Sequence, residues 1–234
     1  VSSRDDAEQL GDFSEIPDPL QESTPTESAR PPAVLPPDAP ARSIVQKRRL
    51  SALLLSVAWL GAHLAIYGIR ADLFSLPPLY AATQILVPLA FAIVALAVAA
   101  STGPLGLGAS ISAVITLSVL GPLSFLFIAL GAPEPHASPN GGNFWLGALV
   151  CFDITLSWAA VPLLAAALSL RKTYPVAAGW RAALVGAASG LFSGAVMNLH
   201  CPSVDRFHIA LGHGIPVLVA TIVGAIVVSK WVRV

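Results

Sequence analysis

Charged side chains make up only 11% of the 234 residues while 55% are hydrophobic, which excludes an ordinary water-soluble domain and indicates a chain that folds in lipid. Catalytic signatures are missing too. No GxSxG elbow, no HExxH pair and no phosphate-cradling glycine loop occurs, and Asp153 is the one carboxylate inside an apolar run, so no acid and base pair is available and an enzyme is not expected. There are two cysteines, Cys151 and Cys201, so at most one internal disulfide. A secretory signal is not expected, because the chain lacks its order of basic patch, short apolar core and small-residue cleavage site at the front, the first long apolar run beginning only near Leu50. The first helix should therefore stay as an anchor. The chain opens on Val1 and its sole methionine is Met197, as expected of an unusual initiator or of a truncation that leaves room for an upstream domain.

What charge there is lies unevenly. Residues 1–42 hold nine of the thirteen acidic residues against Arg4, Arg30 and Arg42, a net charge of minus six. Rich in proline and poor in aromatic and branched residues, this leader buries too little apolar surface to offset the entropy of ordering, and a disordered tail is expected over 1–46. Within it "DDAEQLGDFSEIPDPLQ" intersperses Leu10, Phe13, Ile16 and Leu20 among acids, a pattern able to fold as an acidic amphipathic docking segment, with 21–46 as its tether. A plain solvating tail is the other reading.

Residues 47–234 contain six apolar runs of membrane-spanning length, near 50–69, 80–100, 107–130, 144–170, 178–198 and 211–229, separated by proline- and glycine-rich joins. The predicted fold is an all-α polytopic bundle of six transmembrane helices. Lys47, Arg48 and Arg49, then Arg171, Lys172 and Arg181, then Lys230 and Arg233 all fall at one face, against Arg70 and Arg206 at the other. The positive-inside bias puts the first face, and both termini, in the cytoplasm. In the fifth run Gly186, Gly190 and Gly194 recur every four residues, which suits close helix packing within the chain or, less simply, a homodimer seam.

Polar residues concentrate in "NLHCPSVDRFHIALGHG" (198–214). With Cys151, seven residues into the fourth run, the stretch offers His200, Cys201, His208 and His213 as soft or borderline ligands of the kind zinc or another heavy metal takes in fours. The spacing matches no standard zinc motif. A redox-sensitive thiol pair, a metal-responsive site and a purely structural Cys151–Cys201 disulfide are all open at this point. His213 could merely cap the sixth helix, and His63 and His136 read as lone polar residues. Asp153 is costly in an apolar span and is expected to face the bundle, either hydrogen-bonded to a partner such as Ser157 or serving as a proton or cation relay. That relay would make the chain a small cation transporter, but the two halves show no internal repeat. A membrane scaffold with a structural disulfide is the third class.

"IYGIRADL" (66–73), "CFDITLSWAAVPLLAAALSLRKTYPVAAGWRAALVGAASG" (151–190) and "LHCP" (199–202) resemble the six-helix membrane anti-sigma factors of the NrsF type, negative regulators of extracytoplasmic-function sigma factors. The similarity covers about residues 45–205. It implies that a short cytoplasmic N-terminal segment holds a sigma factor at the bacterial inner membrane, without binding nucleic acid itself. It also implies that two periplasm-facing cysteines, here Cys151 and Cys201, respond to heavy-metal or oxidative stress. After the His-Cys-Pro triplet the resemblance implies a more aromatic stretch than "FHIALGHG", and the added histidines favour metal ligation over simple thiol oxidation.

Overall fold

The structure is a computed structural model that describes residues 42–101, 109–131, 144–171 and 177–232. Six helices are long and apolar enough to cross a membrane: α1 (Arg42–Tyr67), α2 (Pro78–Ala100), α3 (Ile111–Leu130), α4 (Phe144–Leu170), α5 (Ala178–His200) and α6 (Arg206–Trp231). The six-span all-α bundle read from the sequence is the architecture observed. The docking residues Leu10, Phe13, Ile16 and Leu20, and also His136, lie outside the described residues.

Helix starts follow local chemistry. Pro78 begins α2, where its missing N–H has no intrahelical partner to lose. The Ser110 hydroxyl accepts from the Ala113 N–H at the head of α3, and the Asp205 carboxylate accepts from the His208 N–H at 2.7 Å at the head of α6. That cap is why α6 starts at Arg206 and not near 211, which turns residues 206–210 from an expected loop into helix.

The helices alternate in direction. One cluster joins Ala99 of α2, Val114 of α3, Leu170 of α4, Ala182 of α5 and Val228 of α6, so these ends share a level. Leu60 of α1, Cys151 of α4, Met197 of α5 and Cys201 pack together toward the opposite end. The basic residues Arg49, Arg171, Arg181 and Lys230 accordingly fall toward the same end of the bundle.

α5 is the hub: 89% of its most apolar stretch is buried, against 11% for α1. Small residues make this tolerable. A Cβ at Gly190 would stand 2.8 Å from Val217 Cα, one at Gly194 2.9 Å from a Phe125 ring carbon, and those at Gly186 and Gly224 would overlap the carbonyls of Ala220 and Ala182. In lipid, where no hydrophobic push drives helices together, such backbone-close packing is what binds α5 to α6 and α3. The Gly186, Gly190 and Gly194 face is thus occupied within the chain and does not form a homodimer seam.

Candidate metal centre

Cys151 sits on the inward face of α4, in register with Thr155, Trp158 and Pro162, all buried. Asp153, two positions on, is turned about 200° away at 100° per residue and is exposed on the outer surface of α4. The expectation that it faces the bundle is therefore overturned. It neither lines a cation path nor is buried with Ser157, which is itself exposed.

Cys201 lies just past the end of α5, held by its N–H to the Met197 carbonyl. His208 and His213 both belong to α6, five residues apart. In an ordinary α-helix that spacing leaves two side chains about 140° apart. Here Ala210–Gly214 forms a π turn, which adds a residue to the turn and swings both rings to one side, 5.8 Å apart between centroids. Two glycines let this turn approach its neighbours: a Cβ at Gly212 would lie 2.9 Å from Cys151 Cβ, and one at Gly214 2.5 Å from a Leu126 methyl. The Thr155 hydroxyl, 3.1 Å from the Gly212 carbonyl and 2.7 Å from that of Cys151, further ties α4 to the turn.

The result is a cluster of four ligand atoms, from Cys151, Cys201, His208 and His213, all within 4.8 Å of one another. The two sulfurs are 3.8 Å apart, and His208 Nε2 lies 3.3 Å from Cys151 Sγ and 3.4 Å from Cys201 Sγ. A tetrahedral zinc ion with Zn–S about 2.3 Å and Zn–N about 2.0–2.1 Å would separate its ligands by about 3.8 Å (S to S) and about 3.5 Å (S to N). Cys151, Cys201 and His208 stand close to three corners of that tetrahedron, with the His213 nitrogen within 4.8 Å of them, and both cysteines are free thiols, not a disulfide. Cys201 is held below its ordinary thiol value, first by the hydrogen bond with Cys151 and then by that with His208, so it is disposed to the thiolate form that a metal requires.

The fourth ligand is oriented from behind. Pro88 in α2 has no N–H to give the carbonyl of Gln84, and Asn198 Nδ2 donates to that carbonyl at 2.8 Å and to Gln84 Oε1 at 3.3 Å. With its amide nitrogen committed, Asn198 turns its oxygen to His213, whose Nδ1–H donates to it in a short hydrogen bond. His213 Nε2 is then left with its lone pair, fully buried and without a hydrogen-bond partner among the described residues. An orphaned imidazole nitrogen beside two sulfurs, with its other nitrogen fixed by an acceptor, is the pattern of a metal ligand and its supporting shell. The donor set suits zinc or another thiophilic divalent ion. Gln84 Nε2 extends the chain to the Ile128 carbonyl at 3.0 Å, so α2, α3, α5 and α6 all bear on this one ring.

His200, expected among the ligands, is not one of the four. Its Nδ1–H donates to the Gly68 carbonyl at 3.0 Å and its ring meets Tyr67 and Trp158, because the end of α5 turns it toward α1 while Cys201 turns inward. His63 donates to the Trp59 carbonyl and packs on Trp158, as a lone polar residue should.

One residue that supports the loop carrying Cys201 escaped the sequence reading. Arg70, buried after α1, donates from its backbone to Leu199 O at 2.8 Å and from its guanidinium to Pro202 O at 2.8 Å, Ser203 O at 3.4 Å and Asp72 at 2.7 and 2.8 Å. It clamps the end of α1 to the loop that carries Cys201. The Arg70 guanidinium holds the Asp72 carboxyl below the usual carboxylate range. A basic residue at the face opposite the basic clusters, otherwise counted only as a charge, was the available signal.

No curated protein and no solved structure matches the chain. The family model described as "Negative regulator of sigma F" (NrsF) matches residues 37–233, so this six-helix membrane protein with its buried Cys/His cluster belongs to the NrsF family of regulators.

Proposed function

We propose that the chain is an anti-sigma factor of the bacterial inner membrane, with both termini in the cytoplasm and the Cys/His centre toward the periplasm. Residues 1–20, through Leu10, Phe13, Ile16 and Leu20 set among acids, hold the basic surface of an extracytoplasmic-function sigma factor, and residues 21–46 tether it to α1. The observation that carries the sensing part is the buried convergence of Cys151, Cys201, His208 and His213, four ligand atoms within 4.8 Å of one another, the His213 Nε2 among them without a hydrogen-bond partner. These residues hold a thiophilic divalent ion, zinc in the resting cell, which supplies a crosslink between α4, α6 and the Cys201 loop. A competing heavy metal, or an oxidant that takes two electrons from the thiolate pair and leaves a disulfide, changes that crosslink. Either event alters the packing by the few kcal/mol needed to shift a two-state bundle.

The Arg70 clamp makes α1 the route inward, since a displaced Cys201 loop carries the end of α1 with it. The test is a sigma-dependent transcription reporter read with and without cadmium or a thiol oxidant. Cys151→Ser and Cys201→Ser should lose induction by either stress. Arg70→Gln should keep zinc binding yet blunt induction. Normal induction in both cysteine variants would overturn the sensing role, and unchanged sigma capture after deletion of residues 1–20 would overturn the docking role.

A further inference from the structure

α1 packs on α4 along one side and touches α5 only lightly, which leaves an open cavity of about 800 Å³ between α1 and α2, floored by α4 and α5. Its walls are the side chains of Leu53 and Val57 on α1 and Ile93 on α2, with Phe192 of α5 beneath. Two polar groups in the lining lack partners. The Nε of Arg49, at the end of α1 nearer the basic face, is buried with no acceptor among the described residues. The Ser189 hydroxyl, in a residue only 2% exposed, also has none. Ser56 returns its hydroxyl to the Ala52 carbonyl and Ser118 to that of Val114, whereas Ser189, and Ser193 one turn on but outside the cavity lining, do not. In lipid, a stranded cationic N–H and a stranded hydroxyl each require an acceptor from whatever fills the space.

We propose that this cavity is a binding site for one anionic glycerophospholipid. Its phosphate accepts from Arg49, an acyl ester carbonyl accepts from Ser189, and the chain lies between Leu53, Val57 and Ile93 before passing Phe192 into the bilayer. A cation at the mouth and apolar walls below match such a molecule in charge and in polarity, whereas a zwitterionic lipid sets its own ammonium against Arg49. The occupant would fill the side of α1 that no helix supports.

Native mass spectrometry of the full chain in a non-ionic detergent, titrated with phosphatidylglycerol and with phosphatidylcholine of the same acyl chains, tests the site. One phosphatidylglycerol should be retained, preferred over phosphatidylcholine by about tenfold, the order of effect expected when a choline ammonium is set against Arg49 near the protein surface. Arg49→Gln should erase that preference, Arg49→Lys should keep most of it, and Arg48→Gln, which removes an exposed neighbouring charge, should leave it intact. Ser189→Ala should weaken retention of ester-linked phosphatidylglycerol and leave ether-linked phosphatidylglycerol unaffected. Excess inorganic phosphate should not displace the lipid. Equal retention of the two lipids by the parent chain would show bulk boundary lipid only and overturn the proposal. So would a preference that survives Arg49→Gln, or full displacement by phosphate. Thermal unfolding of each variant separates loss of the site from loss of the fold.

Discussion

Removing the Asn198 side-chain amide, as in Asn198→Leu, tests whether a helix-breaking proline on α2 sets the chemistry of an imidazole on α6. Asn198 receives the Nδ1–H of His213 and gives its own amide hydrogens to Gln84, whose carbonyl Pro88 leaves without a backbone donor. Without that acceptor His213 can place its proton on either nitrogen and tilt away from the sulfurs. Loss of such a supporting partner lowers metal affinity by about 10–100-fold, or about 1.4–2.8 kcal/mol. The same substitution strands the Gln84 carbonyl and His213 Nδ1, at about 1–3 kcal/mol for each buried group left unsatisfied. Both effects are readable on the full-length chain in mild detergent: zinc affinity by competition with a chromogenic chelator, and stability by thermal unfolding in excess chelator. Asn198→Asp separates them, since a carboxylate still accepts from His213 but cannot donate to Gln84. It should unfold more easily while binding zinc at least nearly as well as the parent. Parent-like zinc affinity in Asn198→Leu would refute the reasoning, and so would an equal loss of affinity in Asn198→Asp.

The ligand assignment predicts that His208→Ala and His213→Ala each lower zinc affinity by more than Asn198→Leu does, while His200→Ala leaves it unchanged; a loss in His200→Ala would move the centre toward α1. Gly224→Leu, which drives a side chain into the Ala182 carbonyl, should cost about 1–3 kcal/mol or more and reduce the yield of folded protein. Gly61→Ala, with nothing within 4 Å of the added Cβ, should be neutral or stabilising in the same expression and melting assay. Asp72 titrates below the usual carboxylate range in the folded chain, so its ion pair with Arg70 contributes above about pH 4 and is lost as pH falls through the lower folded value. Asp72→Asn should therefore melt below the parent at neutral pH by the small amount expected of a half-exposed pair, and the two curves should converge in strong acid. Asp153→Leu removes a carboxylate from the exposed face of α4, where it costs about 2.5–3.5 kcal/mol near mid-membrane, and should raise the melting point with zinc binding intact; a lower melting point would mean that Asp153 has a partner.

Apolar run length and proline punctuation were enough to find all six spans, because lipid admits few alternatives to a helix of about 20 residues. Facing directions were harder. Asp153 was assigned inward because carboxylates in lipid are costly, yet Cys151, Thr155 and Trp158 recur at helical spacing and already define an inner face that excludes it. Two cysteines and a histidine-rich stretch announced a centre, but His200 could not be told from His208 or His213. The distinction depends on the π turn at Ala210–Gly214, a one-residue adjustment that no spacing rule contains. Gly212 and Gly214 flanking His213 were the visible trace, since two glycines in a helix are explained by close approach on either side. The support from Pro88 through Gln84 and Asn198 was invisible, because it joins positions 114 residues apart whose proximity only the packed bundle creates.

The unequal burial of the helices decides where a signal could travel. α5 meets α6 backbone against backbone at Gly186, Gly190 and Gly224, so sliding one past the other forces atoms into overlap. α1 has no such contact at Gly61, and most of its surface is open to lipid, which solvates one apolar face as well as another. A small shift of α1 therefore costs little, and its direction is set by what grips its two ends. At one end Arg70 and the His200–Gly68 hydrogen bond fasten it to the Cys201 loop. At the other, Arg49 borders the open cavity. A bundle with a rigid hub and one loosely packed helix confines motion to that helix, and α1 is also the helix that continues into the acidic leader. On the proposed function, chemistry at Cys201 reaches residues 1–20 without α5 having to move.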